Sequence, residues 1–212
     1  MEINFSDPKY YTNRELSWVL FDHRVLNEAR DKNIPLFERL KFLSITASNL
    51  DEFFMIRVAS LKDMENAGYT KKDIAGMTPT EQLKALHVAI HELVDLQYST
   101  YNRSLLPLLE KNGLHIIREH EQLTAEEAAY VDQYFQENVY PVLTPMAVDS
   151  SRPFPLIRNK SLNIGAMVRK KNSDEELEFA TVQVPSVLSR VVRIPSKGKS
   201  CKIILLEEII ER

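Results

Sequence analysis

The sequence predicts a multi-domain fold, with an all-α helical domain over residues 1–108 and a truncated α+β domain over residues 109–212. Apolar residues recur at helical spacing through the first half of the chain. The second half instead contains short strand-like runs that are separated by polar turns. The final residues, EEIIER, look like the opening turns of a helix. We therefore expect the second domain to continue beyond residue 212.

Composition limits the function. The hydrophobic fraction of 44% and the charged fraction of 27% are typical of a soluble globular protein. The net charge of −3 gives no general attraction for nucleic acid, so we expect no nucleic-acid partner. A single cysteine, Cys201, excludes an internal disulfide and fits a reducing compartment. We expect no membrane span, because no apolar run approaches 18 residues.

The first two helices are predicted from start signals and spacing. Thr12 and Glu15 have the spacing of a capping box, which predicts that the first helix begins there. That helix should end near Asn33, since the residue before Pro35 avoids the helical region. A second helix should follow, because leucines recur at i, i+4 and i+7 over residues 36–43.

A break between the second and third helices is predicted at Asn49. The three residues before Asn49, TAS, are small or poor helix formers, and Asn49 with Glu52 has the form of a capping box. We therefore expect a new helix N-terminus at Asn49 and an end of this third helix at Gly68.

The amide of Asn49 also permits a functional interpretation. It offers the donor and the acceptor that match N7 and the N6 amine of adenine. A nucleotide would approach with its base, because the carboxylates of Asp51 and Glu52 repel phosphates. From the residues alone, capping explains Asn49 without any ligand and is the favoured interpretation.

A long helix is predicted from Thr78 to Lys111. Thr78, Pro79 and Glu81 combine an N-cap, a first-turn proline and a capping glutamate. The apolar pattern then continues to Lys111, and Pro107 is its one potential breaker. At 1.5 Å per residue this helix would reach roughly 40 Å, and the domain boundary is expected near its C-terminal end.

The second half reads as mixed α and β structure. Thr124 and Glu127 form a capping box that predicts a helix extending to about Val139. The apolar runs around it predict five strands, at 114–118, 162–168, 179–184, 191–194 and 202–206.

The residues alone reveal no self-sufficient catalytic constellation. The chain has no Walker-type loop and no GxGxxG segment. His87 and His91 have the i, i+4 spacing of metal ligands, but no glutamate follows His87, and we expect no metal site there. A basic cluster is the strongest candidate for an anion-facing surface, although a solvated hairpin is the favoured interpretation because half of the cluster is a turn next to DEE; its members are Arg152, Arg158, Lys160, Arg169, Lys170 and Lys171.

Two long segments carry a resemblance to a known family. Residues 10–61 contain ELSWLxFNxRVLxEA and FLxIxxxNLDEFFMxRV almost intact, and they resemble the N-terminal domain of bacterial polyphosphate kinase of the first type. The similarity continues through PVLTPMAVDSSRPFPLIRNKSLNIGAMV, which resembles the start of the head domain of that family, and through IILLEEII. It therefore covers essentially the whole chain.

The resemblance implies an activity. Members of this family transfer the γ-phosphate of ATP reversibly onto polyphosphate, through a phosphohistidine and with Mg²⁺. ATP, ADP and polyphosphate are then the expected partners, and the full-length protein is expected to be a homodimer or a homotetramer. The expected location is the cytoplasm or the periphery of the inner membrane.

The resemblance also implies where the chemistry lies. The catalytic histidine and the magnesium ligands belong to C-terminal domains that this chain does not contain. None of the five histidines matches that nucleophile, so we expect these 212 residues alone to be inactive. The head domain of the family serves dimerisation, which implies a role in self-association for residues 124–206.

Asn49 is the site residue that carries over. The asparagine before LDEF contributes to the ATP site of the family, and this reverses the preference for a purely capping role. Arg57 lies about 80° further around the helix and is expected to border the same surface, with a packing or ion-pair role equally compatible. The alternative function is a free-standing helical scaffold without a nucleotide role.

Overall fold

The computed structural model describes residues 4–148, 154–169, 177–196 and 200–212. The chain forms two compact units, Met1–Leu109 and Glu110–Arg212. The first unit is helical, and the second contains two small sheets with helices. The structure thus has the mostly helical N-terminal region and the sheet-containing part that the sequence predicts.

Helix α1 (Arg14–Arg30) begins one residue later than predicted. Its N-cap is Asn13, whose side-chain oxygen accepts from two backbone N–H groups of the first turn at 3.0 Å. The capping box at Thr12 is therefore wrong. The helix ends at Arg30 because Asp31 turns the chain, its carboxylate accepting from the N–H of Asn33 at 2.8 Å.

The predicted break at Asn49 is also wrong. Helix α2 (Leu36–Phe53) passes through Asn49 without interruption and continues into a π-helical turn, Phe54–Val58. We call this segment the first π turn. Helix α3 (Ala59–Asn66) follows it directly, and Gly68, at φ +68°, comes where the sequence predicts the stop.

Burial explains why α2 continues. Leu43, Leu50 and Phe53 are buried on one side of the helix, so its apolar stripe crosses the polar segment. Thr46 is fully buried, and its hydroxyl donates to the carbonyl of Phe42 at 3.0 Å within the same helix. Packing of this stripe outweighs the low helix propensity of the residues around Asn49.

The long helical segment continues to Lys111 as predicted. Helix α4 (Pro79–Thr100) begins with the capping box of Thr78 and Glu81. It passes through a second π-helical turn, Tyr101–Leu105, into helix α5 (Leu106–Lys111).

Helices α1, α2 and α4 enclose the core of the first unit. Arg39 is buried among them and connects three segments, donating to the carbonyl of Ala29 at 2.8 Å and to the hydroxyl of Ser104 at 3.2 Å. The buried apolar residues of this core are Val19, Leu26, Ala29, Leu43, Leu50, Phe53, Leu61, Leu86, Ile90, Leu93 and Leu105.

The second unit contains two three-stranded sheets. In the first, of order β1-β6-β5, β1 is parallel to β6 and β5 is antiparallel to it. In the second, of order β2-β4-β3, all neighbours are antiparallel. Its elements are β1 (Leu114–Ile117), α6 (Ala125–Tyr134), β2 (Pro145–Val148), β3 (Asn163–Val168), β4 (Glu178–Gln183), β5 (Val191–Ile194), β6 (Cys201–Leu205) and α7 (Leu206–Glu211).

The sequence located most of these strands. The five predicted strands agree with β1, β3, β4, β5 and β6 to within one residue. Strand β2 was missed, because its four residues begin with a proline and follow directly on a helix-ending segment. Helix α6 continues through a π-helical turn that ends at Val139, as expected.

An ion pair joins the first turn of α1 to the first π turn. The Glu15 side chain is only 8% exposed and that of Arg57 is 35% exposed. Nε of Arg57 donates to the two carboxylate oxygens of Glu15 at 3.1 and 3.0 Å, and Nη2 donates to Oε1. Hydrogen bonding to Glu15 raises the pKa of the Arg57 guanidinium above its usual value. A bidentate, half-buried pair of this kind is stronger than an exposed one.

We expect Glu15→Ala to lower the free energy of unfolding of the helical unit by about 2 kcal/mol, because it leaves the Arg57 guanidinium without its buried partner. The fluorescence of Trp18, the single tryptophan, follows urea unfolding of this unit. The matched control is Glu38→Ala, which removes an exposed pair with Lys41 and should cost less than about 0.5 kcal/mol. Equal costs for the two variants would contradict the assignment.

Candidate functional site

An open cavity of about 490 Å³ lies in the first unit, between α1, the C-terminal part of α2 and the first π turn. The structure brings both site residues predicted from the sequence to its wall, Asn49 from α2 and Arg57 from the first π turn. Trp18 and Phe21 of α1 line the facing side. The cavity therefore combines one amide, two guanidinium groups and three aromatic side chains, since Arg14 and Phe53 also line it.

Asn49 does not cap a helix. It lies inside α2, and its Nδ2 donates to Oδ1 of Asp22 on α1 at 2.9 Å. Its side chain is half-buried, and within the described residues this is its one hydrogen bond. The amide oxygen and the second N–H of Asn49 therefore remain available on the cavity wall.

Asp22 is fully buried beneath this wall. Its Oδ1 accepts from Asn49, whereas its Oδ2 has no hydrogen-bond partner among the described residues. Burial raises the pKa of the Asp22 carboxyl, and the hydrogen bond from Asn49 acts in the opposite direction. A buried carboxylate with one unsatisfied oxygen is costly and is held in place by its neighbours.

The sequence analysis missed Asp22, although a signal for it existed. Val19, Leu26 and Ala29 are buried on the core side of α1, and Asp22 has the same helical phase. A carboxylate within an apolar stripe is rarely buried without a partner, so the pattern indicates that Asp22 needs a polar partner. The sequence could not name Asn49 as that partner, because 27 residues separate the two.

The aromatic side of the cavity has one stacked ring and one exposed ring. Trp18 stacks on Phe53, with ring centroids 4.2 Å apart and planes 12° apart. Phe21 is 46% exposed, with the guanidinium of Arg24 over its ring at 5.9 Å. Exposed ring surface beside an amide suits a flat heterocycle.

Charges of both signs line the cavity. Arg57 is engaged by Glu15, but its Nη1 has no hydrogen-bond partner among the described residues. Arg14 lies exposed at the first turn of α1, and Glu52 supplies a carboxylate from α2.

The other candidates from the sequence form no comparable site. The His87 and His91 rings contact each other at a centroid distance of 4.2 Å, and Nδ1 of His91 lies 2.7 Å from the carbonyl oxygen of His87. Across the described ranges, no group of three or more His, Cys, Asp or Glu side chains is arranged to hold a metal ion. Cys201 is half-buried on β6.

The basic cluster is only partly described. Arg158, Lys160 and Arg169 are exposed, whereas Arg152, Lys170 and Lys171 lie outside the described residues. Among the helices that the structure describes, none is long and apolar enough to cross a membrane.

Family models match both units of the chain. Residues 11–117 match the polyphosphate kinase N-terminal domain, and residues 126–212 match the polyphosphate kinase middle domain. Together these two models account for nearly the whole sequence.

Individual proteins give the same result. A polyphosphate kinase of Lactiplantibacillus plantarum is 52% identical over 99% of this chain and 29% of its own length. One of Bacillus anthracis is 47% identical over 98% of this chain and 30% of its own length. The crystal structure of polyphosphate kinase from Porphyromonas gingivalis is similar with a TM-score of 0.81 and 30% identity, covering 94% of this chain and 29% of that one.

The chain spans about three-tenths of the length of these relatives. The two matched domains follow each other in the chain without overlap. On this basis the chain belongs to the polyphosphate kinase family.

Proposed function

We propose that this chain is part of an ATP:polyphosphate phosphotransferase and that the cavity at Asn49 forms one wall of its ATP site. The observation that carries this proposal is the amide of Asn49, which is fixed by Asp22 and retains a donor and an acceptor on the cavity wall. Membership of the polyphosphate kinase family supplies the reaction.

The chemistry of adenine fits this wall. Its N6 amine donates and its N7 accepts, which is the complement of the oxygen and the remaining N–H of Asn49. The ring faces of Trp18 and Phe21 supply apolar area for the flat base. The Glu52 carboxylate on the same wall disfavours phosphates there, so the triphosphate leaves the cavity on another side.

Arg57 lies at the border of the proposed ATP site. Its bidentate pair with Glu15 holds the first π turn against α1, and this fixes one side of the cavity. Its Nη1 is the group through which it would contact the nucleotide. Mg²⁺ would accompany ATP as its counter-ion, and within the described residues no group of three or more His, Cys, Asp or Glu side chains is arranged to hold it.

Self-association through the second unit is a further part of the proposal. Met146 on β2 and Met167 on β3 are 40% and 59% exposed. Their partners on β4, Thr181 and Phe179, are two residues apart, so both methionines lie on one face of the sheet. Exposed methionines on one face of a sheet suit a contact between copies of the protein in the cytoplasm.

Asn49→Ala in the complete enzyme should raise the KM for ATP about tenfold, because two hydrogen bonds to the base are lost. The kcat should change much less, since the amide does not contact the reacting phosphate. Asn27→Ala, at an exposed position of α1, is the matched control and should leave KM unchanged. An unchanged KM in Asn49→Ala would favour the helical scaffold without a nucleotide role.

A double variant separates base contact from stability. In Asp22→Asn combined with Asn49→Asp, the new amide at position 22 can donate to the new carboxylate at position 49, so the contact between α1 and α2 is retained. The carboxylate cannot donate to N7 of adenine. We expect the double variant to be as stable as the wild type and to have a raised KM for ATP. A KM equal to that of the wild type would contradict the base contact.

The 212 residues by themselves should transfer no phosphate. None of the five histidines matches the family nucleophile, so the chain lacks the group that would carry the phosphoryl intermediate. The measurement is transfer of radiolabelled γ-phosphate from Mg²⁺-ATP to polyphosphate, with the Lactiplantibacillus plantarum enzyme as the positive control. Transfer above the background without protein would contradict the prediction.

Met167→Glu should weaken self-association of the complete enzyme, because it places a carboxylate on the exposed sheet face. Light scattering should show a lower molar mass at micromolar concentration. Met64→Glu, on α3 of the first unit and 43% exposed, is the matched control. Equal molar masses for both variants and the wild type would remove this face from the proposal.

A further inference from the structure

Asp22 lies directly beneath the wall of the cavity. It is fully buried, and its Oδ1 accepts from Nδ2 of Asn49 at 2.9 Å.

An aspartate at position 22 limits how the neighbouring amide of Asn49 can be oriented. An asparagine at position 22 could either accept from Nδ2 of Asn49 or donate to its Oδ1, so the amide of Asn49 could face the cavity in either orientation. An ionised aspartate can only accept. Asp22 therefore holds Nδ2 of Asn49 toward α1, and the observed contact at 2.9 Å has this arrangement.

The surroundings keep this arrangement fixed. Asp22 lies among the core residues of α1, where its side chain has no access to solvent. Its Oδ2 has no hydrogen-bond partner within the described part of the chain, so Asn49 is the residue that satisfies this carboxylate. Rotation of the amide would place Oδ1 of Asn49 against a carboxylate oxygen, which is unfavourable.

We propose that Asp22 is a positioning residue that determines base selectivity: it directs the amide oxygen of Asn49 into the cavity and so favours adenine over guanine nucleotides. This inference rests on the proposed ATP site. Adenine presents the N6 amine as a donor to that oxygen, whereas guanine presents the O6 acceptor at the same place. Two facing acceptors repel each other, and a polar site of this kind rejects the wrong base strongly.

The test compares ATP with GTP as phosphoryl donors for the complete enzyme. We expect Asp22→Asn to reduce the ratio of kcat/KM for ATP to that for GTP about tenfold, mainly through improved use of GTP, because the amide can then rotate. Asp95→Asn, the same substitution at an exposed position of α4, should leave the ratio unchanged.

A second background shows whether Asp22 acts through Asn49. In Asn49→Ala, the further change Asp22→Asn should not alter the ATP to GTP ratio, because the amide that it orients is absent. A change of the ratio in this background as large as in the wild type would overturn the inference.

The outcomes distinguish this inference from the proposed function. If Asp22→Asn leaves the ratio of kcat/KM for ATP to that for GTP unchanged, for example by lowering both values by the same factor, the selectivity role is overturned. The ATP site stands in that case if Asn49→Ala still raises the KM for ATP. If Asn49→Ala leaves the KM for both nucleotides unchanged, the proposed ATP site fails and the role of Asp22 fails with it.

Discussion

The first unit depends on the continuity of α2 through its polar middle segment. Leu43, Leu50 and Phe53 bury one side of this helix, and their packing extends it past the residues that would otherwise end it. Since the helix does not stop at Asn49, the backbone there needs no cap. The side chain of Asn49 therefore does not cap the helix, and its amide instead donates to Asp22 on α1.

Two polar contacts across α1 and the α2 segment then define the cavity. Asn49 with Asp22 lies at one end, and Arg57 with Glu15 lies at the other. On α1 the two acidic residues are seven positions apart, which corresponds to about 10 Å along the helix. The rings of Trp18 and Phe21 line the space between these contacts.

Sequence reasoning succeeded where local signals and burial agreed. The capping box at Thr78 and the short strand-like runs of the second unit placed α4 and most strands correctly. It failed at Asn49, where a capping pattern was present but the buried stripe of the same helix outweighed it. Asn49 and Arg57 could be named in advance, whereas the pairing of Asn49 with Asp22 depends on how two helices pack and is not encoded locally.

Three departures from local rules lie at this cavity. A predicted break that does not occur, a π-helical turn that carries Arg57, and a buried carboxylate with an unsatisfied oxygen all lie on or directly beneath its wall. A π turn changes the angular position of every residue after it, so it helps to set where Arg57 meets Glu15. Stability alone would favour an apolar residue or an amide at position 22, because a buried carboxylate is expensive to desolvate. Conflicts between local preference and observed structure are expected at functional sites, and three of them meet at this wall.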